Sequence, residues 1–245
     1  MPISPNQGSS AGGTAVVITG TNLANASAVR FGTNPGTITG NTPTSVNVTS
    51  PAGHGAVGVT VTTPGGTSNP LSFFYLEPPT KFSLSQTSGA EAGGNSVTIT
   101  GANLNGATSV TFGANAATIT SNNSGSIVVT VPAGTGSVAV TVVTPGGSTN
   151  GLFYQYVVAP TVTDIDPDAG PTAGGTGVTI TGTGLTTTNS VTFDGVPASF
   201  VVINDTEVSA VTPAGTAGAV DVVVTTTGGS ATLAGGFTYV AGPGI

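Results

Sequence analysis

Three aspartates at alternating positions form the pattern that most resembles a metal site in this 245-residue chain. Single residues separate Asp164, Asp166 and Asp168, so an extended strand would direct all three side chains to one face. Carboxylate oxygens are ligands that Ca²⁺ prefers, although the glycine and distal glutamate of a helix-loop-helix calcium loop are missing. The alternative is an acidic strand edge that discourages aggregation. The aspartates therefore support a calcium hypothesis, and the sequence predicts no other cofactor.

Two pairs of acids could be the paired carboxylates of a glycoside hydrolase. One pair is Asp205 with Glu207, and the other is Asp194 with Asp221. The rest of the chain has no acids at comparable positions, and scattered acids are typical of protein surfaces. We therefore interpret both pairs as surface residues.

The chain has one histidine and no cysteine, which limits catalysis further. A Ser-His-Asp triad would need His54 as its general base, yet His54 follows Pro51-Ala52-Gly53, a sequence typical of an exposed turn. Without cysteine or further histidines there is no ligand set for zinc. The sequence predicts that the protein is not an enzyme.

A glycine pair followed by a short alternating segment occurs three times. The glycines that end these segments fall 81 residues apart, at Gly20, Gly101 and Gly182. Self-similarity at a fixed period indicates repeated structural units. We predict three modules of one kind, joined by short proline-containing linkers: residues 1–76 (module 1), 79–157 (module 2) and 160–241 (module 3).

The elements of each module read as short β-strands. Valine and threonine alternate between turn signals rich in glycine and proline, which is typical of antiparallel sandwiches. In module 1 the predicted strands after the first are Ala15–Thr19, Ala28–Phe31, Thr37–Thr39 and Ser45–Val48. In module 2 the alternation predicts a buried set: Val97, Ile99, Phe112, Val138 and Val140. The fold class is therefore all-β, with three tandem sandwiches forming an elongated rod.

Module 1 has almost no first strand. Only Ile3 corresponds to the segments Phe82–Leu84 and Thr161–Ile165 of its siblings. A shortened strand leaves neighbouring backbone groups without a ladder partner and open to another chain. We therefore expect module 1 to be the end through which the protein attaches to a partner.

Ordered landmarks in module 3 resemble the IPT/TIG domain family. They are the stretch 166–182, which begins Asp-Pro-Asp-Ala-Gly-Pro, the segment 191–195 (Val-Thr-Phe-Asp-Gly) and the turn 211–215 (Val-Thr-Pro-Ala-Gly). The resemblance covers nearly the whole chain and implies three tandem copies of an immunoglobulin-like sandwich. Family members occur in receptor ectodomains, bacterial surface proteins, accessory modules of polysaccharide-processing enzymes and DNA-binding transcription factors.

Charge excludes the last of these uses. Nine acidic residues face only Arg30 and Lys81, giving a net charge of −7. Phosphate backbones and anionic membrane surfaces need clusters of basic residues, so we predict no binding to nucleic acid. No stretch reaches the roughly 18 apolar residues of a transmembrane helix, so no membrane insertion is predicted.

The sequence favours a non-catalytic structural or binding rod. Its composition resembles that of surface proteins while no export signal is visible, so the first expectation is the outside of a bacteriophage virion, as a decoration, fibre or tail-appendage protein. Module 1 would then dock to a capsid, a tail or a sister subunit in a homo-oligomeric assembly. The alternative is a bacterial cell-surface or secreted adhesin-type segment that binds a surface glycan. The expected location is the virion surface or the cell exterior.

Overall fold

The structure, a computed structural model, describes residues 1–243, without the side chain of Asn150. Apart from one 3-10 turn at Leu185–Thr187, the regular structure of these residues is β-strand. The all-β prediction is confirmed, and each module contains the two layers of an immunoglobulin-like fold.

The strands follow one another in the same order in the three modules. Those of module 1 are β1 (Ile3–Ser4), β2 (Gln7–Ser9), β3 (Ala15–Thr19), β4 (Ala28–Phe31), β5 (Asn34–Asn41), β6 (Ser45–Thr49), β7 (Ala56–Thr63), β8 (Gly66–Thr67) and β9 (Leu71–Leu76). Those of module 2 are β10 (Thr80–Leu84), β11 (Ser88–Ala90), β12 (Ser96–Ala102), β13 (Ser109–Phe112), β14 (Asn115–Ala116), β15 (Thr118–Asn122), β16 (Ser126–Thr130), β17 (Ser137–Thr144) and β18 (Gly147–Val157). Those of module 3 are β19 (Thr161–Asp166), β20 (Ala169–Pro171), β21 (Gly177–Thr183), β22 (Thr188–Phe193), β23 (Val196–Pro197), β24 (Ser199–Asn204), β25 (Glu207–Val211), β26 (Gly218–Thr226) and β27 (Gly229–Val240).

The strands pair in the same order throughout. Module 2 has the sheets β10-β12-β16-β15 and β11-β18-β17-β13-β14, and module 3 has β19-β21-β25-β24 and β20-β27-β26-β22-β23. In module 1 the two layers join into one continuous sheet, because β5 pairs with β4 through Asn34–Gly36 and with β6 through Thr37–Asn41. Each first strand is divided, and its second part (β2, β11 or β20) pairs in parallel with the closing strand β9, β18 or β27.

Alternation along the strands places the cores between the layers. Val16 and Ile18 are buried while Val17 between them is 40% exposed, as a period of two requires. In module 2 Val97, Ile99, Phe112 and Val140 are buried as predicted. Val138 is only half-buried, because it stands at the start of β17. The predicted register is therefore correct within the strands and fails at a strand end.

The repeated glycine pair has a conformational cause. Both glycines of each pair have positive φ, which side chains adopt at a cost: 82° and 80° at Gly12-Gly13, 68° and 87° at Gly93-Gly94, and 75° and 83° at Gly174-Gly175. A methyl group on the first glycine of each pair would also overlap the backbone of the Pro-Ala-Gly turn, at Pro51, Pro132 or Pro213. The pair and the turn are therefore packed against each other, which explains why both recur with the same period.

A tyrosine ties the closing strand to that same turn. Tyr75 Oη donates to the Pro51 carbonyl at 2.9 Å, Tyr156 Oη to Pro132 at 2.8 Å and Tyr239 Oη to Pro213 at 2.6 Å. The glycine of each turn lies under the ring, where a methyl group would overlap the tyrosine. Burial raises the pKa of Tyr75, Tyr156 and Tyr239, so all three remain hydrogen-bond donors at neutral pH.

The short first strand of module 1 is confirmed. β1 has two residues and pairs Ile3 with Ile18, whereas β10 and β19 continue along their neighbours as far as Ala102 and Thr183. The modules therefore differ at this edge while their cores correspond.

By its contacts the chain divides into two compact units, and the division cuts through module 2. One unit comprises residues 1–85, 96–130 and 139–152, and the other comprises residues 86–95, 131–138 and 153–245. The first contains module 1, with a core that includes an edge-to-face stack of Phe31 on Phe73 at 5.0 Å. The second contains module 3, where Phe193 and Phe237 form the same stack at 5.4 Å.

Candidate binding surfaces

The three aspartates of the calcium hypothesis do not converge. Asp164, Asp166 and Asp168 are all exposed, and a register shift separates Val162 from Asp164 in the pairing of β19 with β21. Among residues 1–243, no three His, Cys, Asp or Glu side chains lie close enough together to hold a metal ion. The calcium site remains a prediction that this geometry does not support.

The acids considered as hydrolase pairs hold loops in place. Asp205 accepts a hydrogen bond from Thr186 Oγ1 at 2.8 Å, and chiefly for this reason its pKa lies below the ordinary value. Asp221 accepts the backbone N–H of Gly235 at 2.8 Å, and the backbone N–H of Asp194 donates to the Asp221 carbonyl at 2.9 Å. Since these carboxylates accept hydrogen bonds that fix loop backbones, their positions have a structural explanation.

His54 takes part in a small polar cluster that spacing alone did not reveal. Its Nδ1 lies 2.8 Å from Glu77 Oε1, and Ser10 Oγ donates to Glu77 Oε2 at 3.1 Å. Glu77 thus stands between the hydroxyl and the imidazole, whereas a catalytic triad needs the imidazole in contact with the hydroxyl. His54 is also 83% exposed in its side chain. We interpret the cluster as a clamp between the end of β9 and the turn at residues 51–53.

The charge state of the clamp follows from its hydrogen bonds. The bond from His54 is the largest influence on the Glu77 carboxyl and holds its pKa below the ordinary value, and the Ser10 hydroxyl acts in the same direction. Burial of the carboxyl opposes them in part. Glu77 is therefore ionised at neutral pH and can accept from both partners.

The two basic side chains are used within the fold. Arg30 Nη1 donates to the Thr33 carbonyl at 3.0 Å. Lys81 Nζ donates to the Val140 carbonyl, and burial lowers the pKa of this lysine to about 8. Neither side chain belongs to a basic patch, in line with the separation of the two residues in the sequence.

An open sheet face of module 1 carries an exposed phenylalanine. Phe73 and Tyr75 point into the core, so Phe74 between them points outward and is 44% exposed. Across the strands Phe74 is paired with Ala56 on one side and Gln7 on the other. An aromatic ring beside a small residue and an amide is a surface on which a flat ligand could lie.

Module 3 has a different exposed surface. Val201 and Val211, on neighbouring strands β24 and β25, are 63% and 47% exposed. The matching position of Val201 is Thr39 in module 1 and Thr120 in module 2. This apolar patch is therefore peculiar to module 3, and the repeat pattern alone does not explain it.

These features define a tandem array of immunoglobulin-like sandwiches that carry binding faces and no assembled catalytic group among the described residues. The IPT/TIG domain pattern matches residues 1–75, 79–156 and 160–239. The chain belongs to the IPT/TIG domain family, as three tandem copies.

Individual relatives cover the chain well but are much longer than it. Fibrocystin-L of Homo sapiens is 32% identical over 234 residues, which are 90% of this chain and 5% of that protein. The solved extracellular region of plexin A4 is 22% identical, with a TM-score of 0.45 over 93% of this chain and 22% of that one. A surface glycan-binding protein of Prevotella bryantii, PbSGBP-B, is 19% identical, with a TM-score of 0.31 over 63% of this chain and 41% of that one.

No helix among the residues that the structure describes has the length and apolar character needed to cross a membrane.

Proposed function

We propose that the protein is a non-catalytic, adhesin-type array of the cell exterior, and that module 1 binds carbohydrate on the sheet face around Phe74. The modules would serve as a scaffold that holds this face away from its point of attachment. Ligand binding on such a surface needs no group that titrates or reacts, which agrees with the structural use of His54, Glu77 and the acids described above.

The observation that carries the proposal is the exposed ring of Phe74 on an open sheet face. Aromatic rings offer a large apolar contact at little cost in conformational entropy, and the apolar face of a sugar ring can stack on them. Gln7, paired with Phe74 in the neighbouring strand, has an amide that can both donate to and accept from sugar hydroxyls. The opposite neighbours, Ala56 and Gly58, are too small to cover the ring.

The cell exterior is preferred to the virion as the setting. A surface of threonine, serine, glycine and asparagine with 4% charged residues suits either place. The relatives named above include an extracellular region and a surface glycan-binding protein, and none of the three is a virion protein. We therefore retain the cell-surface alternative as the proposal, and the virion role remains an untested expectation.

Binding can be tested with a glycan array probed with the full chain, followed by calorimetry on each positive glycan. Phe74→Ser should weaken binding at least about tenfold, the equivalent of about 1.4 kcal/mol for the lost ring contact. Val201→Ser removes an equally apolar exposed side chain from module 3 and should leave binding unchanged. If no glycan binds the wild-type chain, or if both variants bind equally well, the carbohydrate proposal is wrong.

The setting can be tested separately. Mass spectrometry of the native source should find the protein in the cell-surface or secreted fraction. Its recovery from purified virions instead would contradict the proposed setting, whatever the outcome of the glycan array.

A further inference from the structure

A four-residue turn next to each closing strand has the same geometry in all three modules. In module 1 it is Thr63-Pro64-Gly65-Gly66, in module 2 Thr144-Pro145-Gly146-Gly147 and in module 3 Thr226-Thr227-Gly228-Gly229. The threonine hydroxyl accepts the N–H of the third residue at 3.3, 3.3 and 3.1 Å in turn. We call this element the receiving turn.

In module 2 the receiving turn is covered by the segment that leaves module 1. Gly146 is buried, and a methyl group there would overlap the Glu77 carbonyl oxygen. Ser9 Oγ, on the strand beside that segment, donates to the Gly146 carbonyl at 2.8 Å. Asn103 Nδ2, in the loop next to the turn, donates to the Pro78 carbonyl at 3.2 Å. All these residues belong to the first compact unit.

Module 3 shows the same contact, within the second compact unit. Gly228 is buried, and a methyl group there would overlap the Val158 carbonyl oxygen. Val158 follows the closing tyrosine Tyr156 by two residues, as Glu77 follows Tyr75. A receiving turn thus takes the carbonyl of the second residue after the tyrosine, and a glycine is required so that the two backbones can approach.

The receiving turn of module 1 is folded but uncovered. Gly65 is exposed, and the nearest atom to a methyl group placed there would be Thr63 Oγ1 at 3.6 Å, in the same turn. Beside it lies a cleft of about 250 Å³ whose lining includes Asn22, Leu23 and Thr63. The surface therefore has the shape of a contact that is made twice elsewhere in the chain and lacks its second half.

The chain also contains a third segment of the covering type. Val240-Ala241-Gly242-Pro243 follows Tyr239 in the positions that Leu76-Glu77-Pro78-Pro79 occupy after Tyr75. The proline stands four residues after the tyrosine in both, and Val240 is 55% exposed. The backbone carbonyl of Ala241 corresponds to those of Glu77 and Val158.

We propose that the receiving turn of module 1 binds the segment Val240–Pro243 of a second copy of this chain, with Ala241 O packed against Gly65. The two surfaces differ, so the contact is head-to-tail and can add further copies without closing. Because it would be far smaller than a stable interface, association should be weak in free solution and strengthened where copies are crowded on a surface.

The test uses sedimentation velocity of the full chain from about 10 µM to about 1 mM, a range chosen for so small a contact. The wild type should show a sedimentation coefficient that rises with concentration. Gly65→Val should stay monomeric, because the added side chain blocks the carbonyl. The matched control is Gly125→Val, since Gly125 is also exposed and its nearest neighbour would be Asn123 Oδ1 at 3.7 Å. This control should associate like the wild type.

Polarity is tested by mixing. A chain lacking residues 241–245 keeps its receiving turn but loses the covering segment, so it should also be monomeric. Mixed with Gly65→Val, which keeps the covering segment, it should form heterodimers and nothing larger. Circular dichroism checks that both variants remain folded. A wild type that is monomeric at every concentration, or a mixture that forms no heterodimer, would overturn the proposal.

Discussion

At the scale of the residue, Glu77 shows how a charge can serve the fold without doing chemistry. Its depressed pKa means that the hydrogen bonds of the clamp favour the ionised carboxylate. Such a group contributes stability above its unfolded pKa, near the model-compound value of 4.5, and loses that contribution as the pH falls through the folded value. The clamp should therefore weaken in acid and be intact at neutral pH.

The clamp is tested by following the Glu77 carboxyl carbon by NMR during a pH titration. In the wild type the midpoint should lie below 4.5. In His54→Ala it should move upward, because the hydrogen bond from His54 is the largest cause of the depression. Ser10→Ala should give a smaller change in the same direction. An unchanged midpoint in His54→Ala would contradict the assignment.

The closing tyrosines provide a second residue-scale prediction. Tyr239→Phe keeps the ring but leaves the Pro213 carbonyl without its partner, so the free energy of unfolding should fall by about 0.5–1.5 kcal/mol. Urea denaturation followed by circular dichroism measures the loss. Thr238→Val, at the neighbouring exposed position on β27, serves as the control and should have little effect. Equal effects of the two variants would count against the hydrogen bond.

At the scale of the element, the glycine pair offers a comparison between strain and collision. Gly174 and Gly175 both have positive φ, but only at Gly174 would a methyl group meet the Pro213 backbone. Gly175→Ala should therefore cost about 1–2 kcal/mol from its left-handed conformation alone. Gly174→Ala should cost clearly more, because the turn must move as well. Thermal unfolding of the two variants ranks them, and equal melting temperatures would refute the packing of pair against turn.

The sequence predicted those elements that depend on local pattern. The period of 81 residues predicted the three modules, and alternation predicted strands such as Ala15–Thr19 and Ala28–Phe31 with their buried faces. The parallel segments β2, β11 and β20 were not predicted, because they have two or three residues that pair with a strand more than sixty positions away. Such pairing leaves almost no periodic signal.

The candidate sites were less accessible to sequence reasoning than the fold. The aspartates satisfy a spacing rule on one strand, but a metal site needs ligands that converge from several elements. The clamp at Glu77 joins residues far apart in the chain, so no local motif marks it. Phe74 could have been found, because the alternation that places Phe73 and Tyr75 inside must place it outside.

At the scale of the whole molecule, the boundaries of the modules remain a prediction, which module 3 can test. Its core cluster of buried residues runs from Ile165 to Tyr239, so a fragment of residues 160–243 retains every member of that core. The fragment should fold by itself. Its amide NMR spectrum should match that of the full chain except near Gly228, which loses the Val158 carbonyl packed against it. The counterpart fragment of residues 166–243 lacks nearly all of β19 and with it Ile165, which is paired with Ile180, and should be much less stable. An unfolded 160–243 fragment would show that module 3 depends on residues before its predicted boundary, and the division at residue 160 would be wrong.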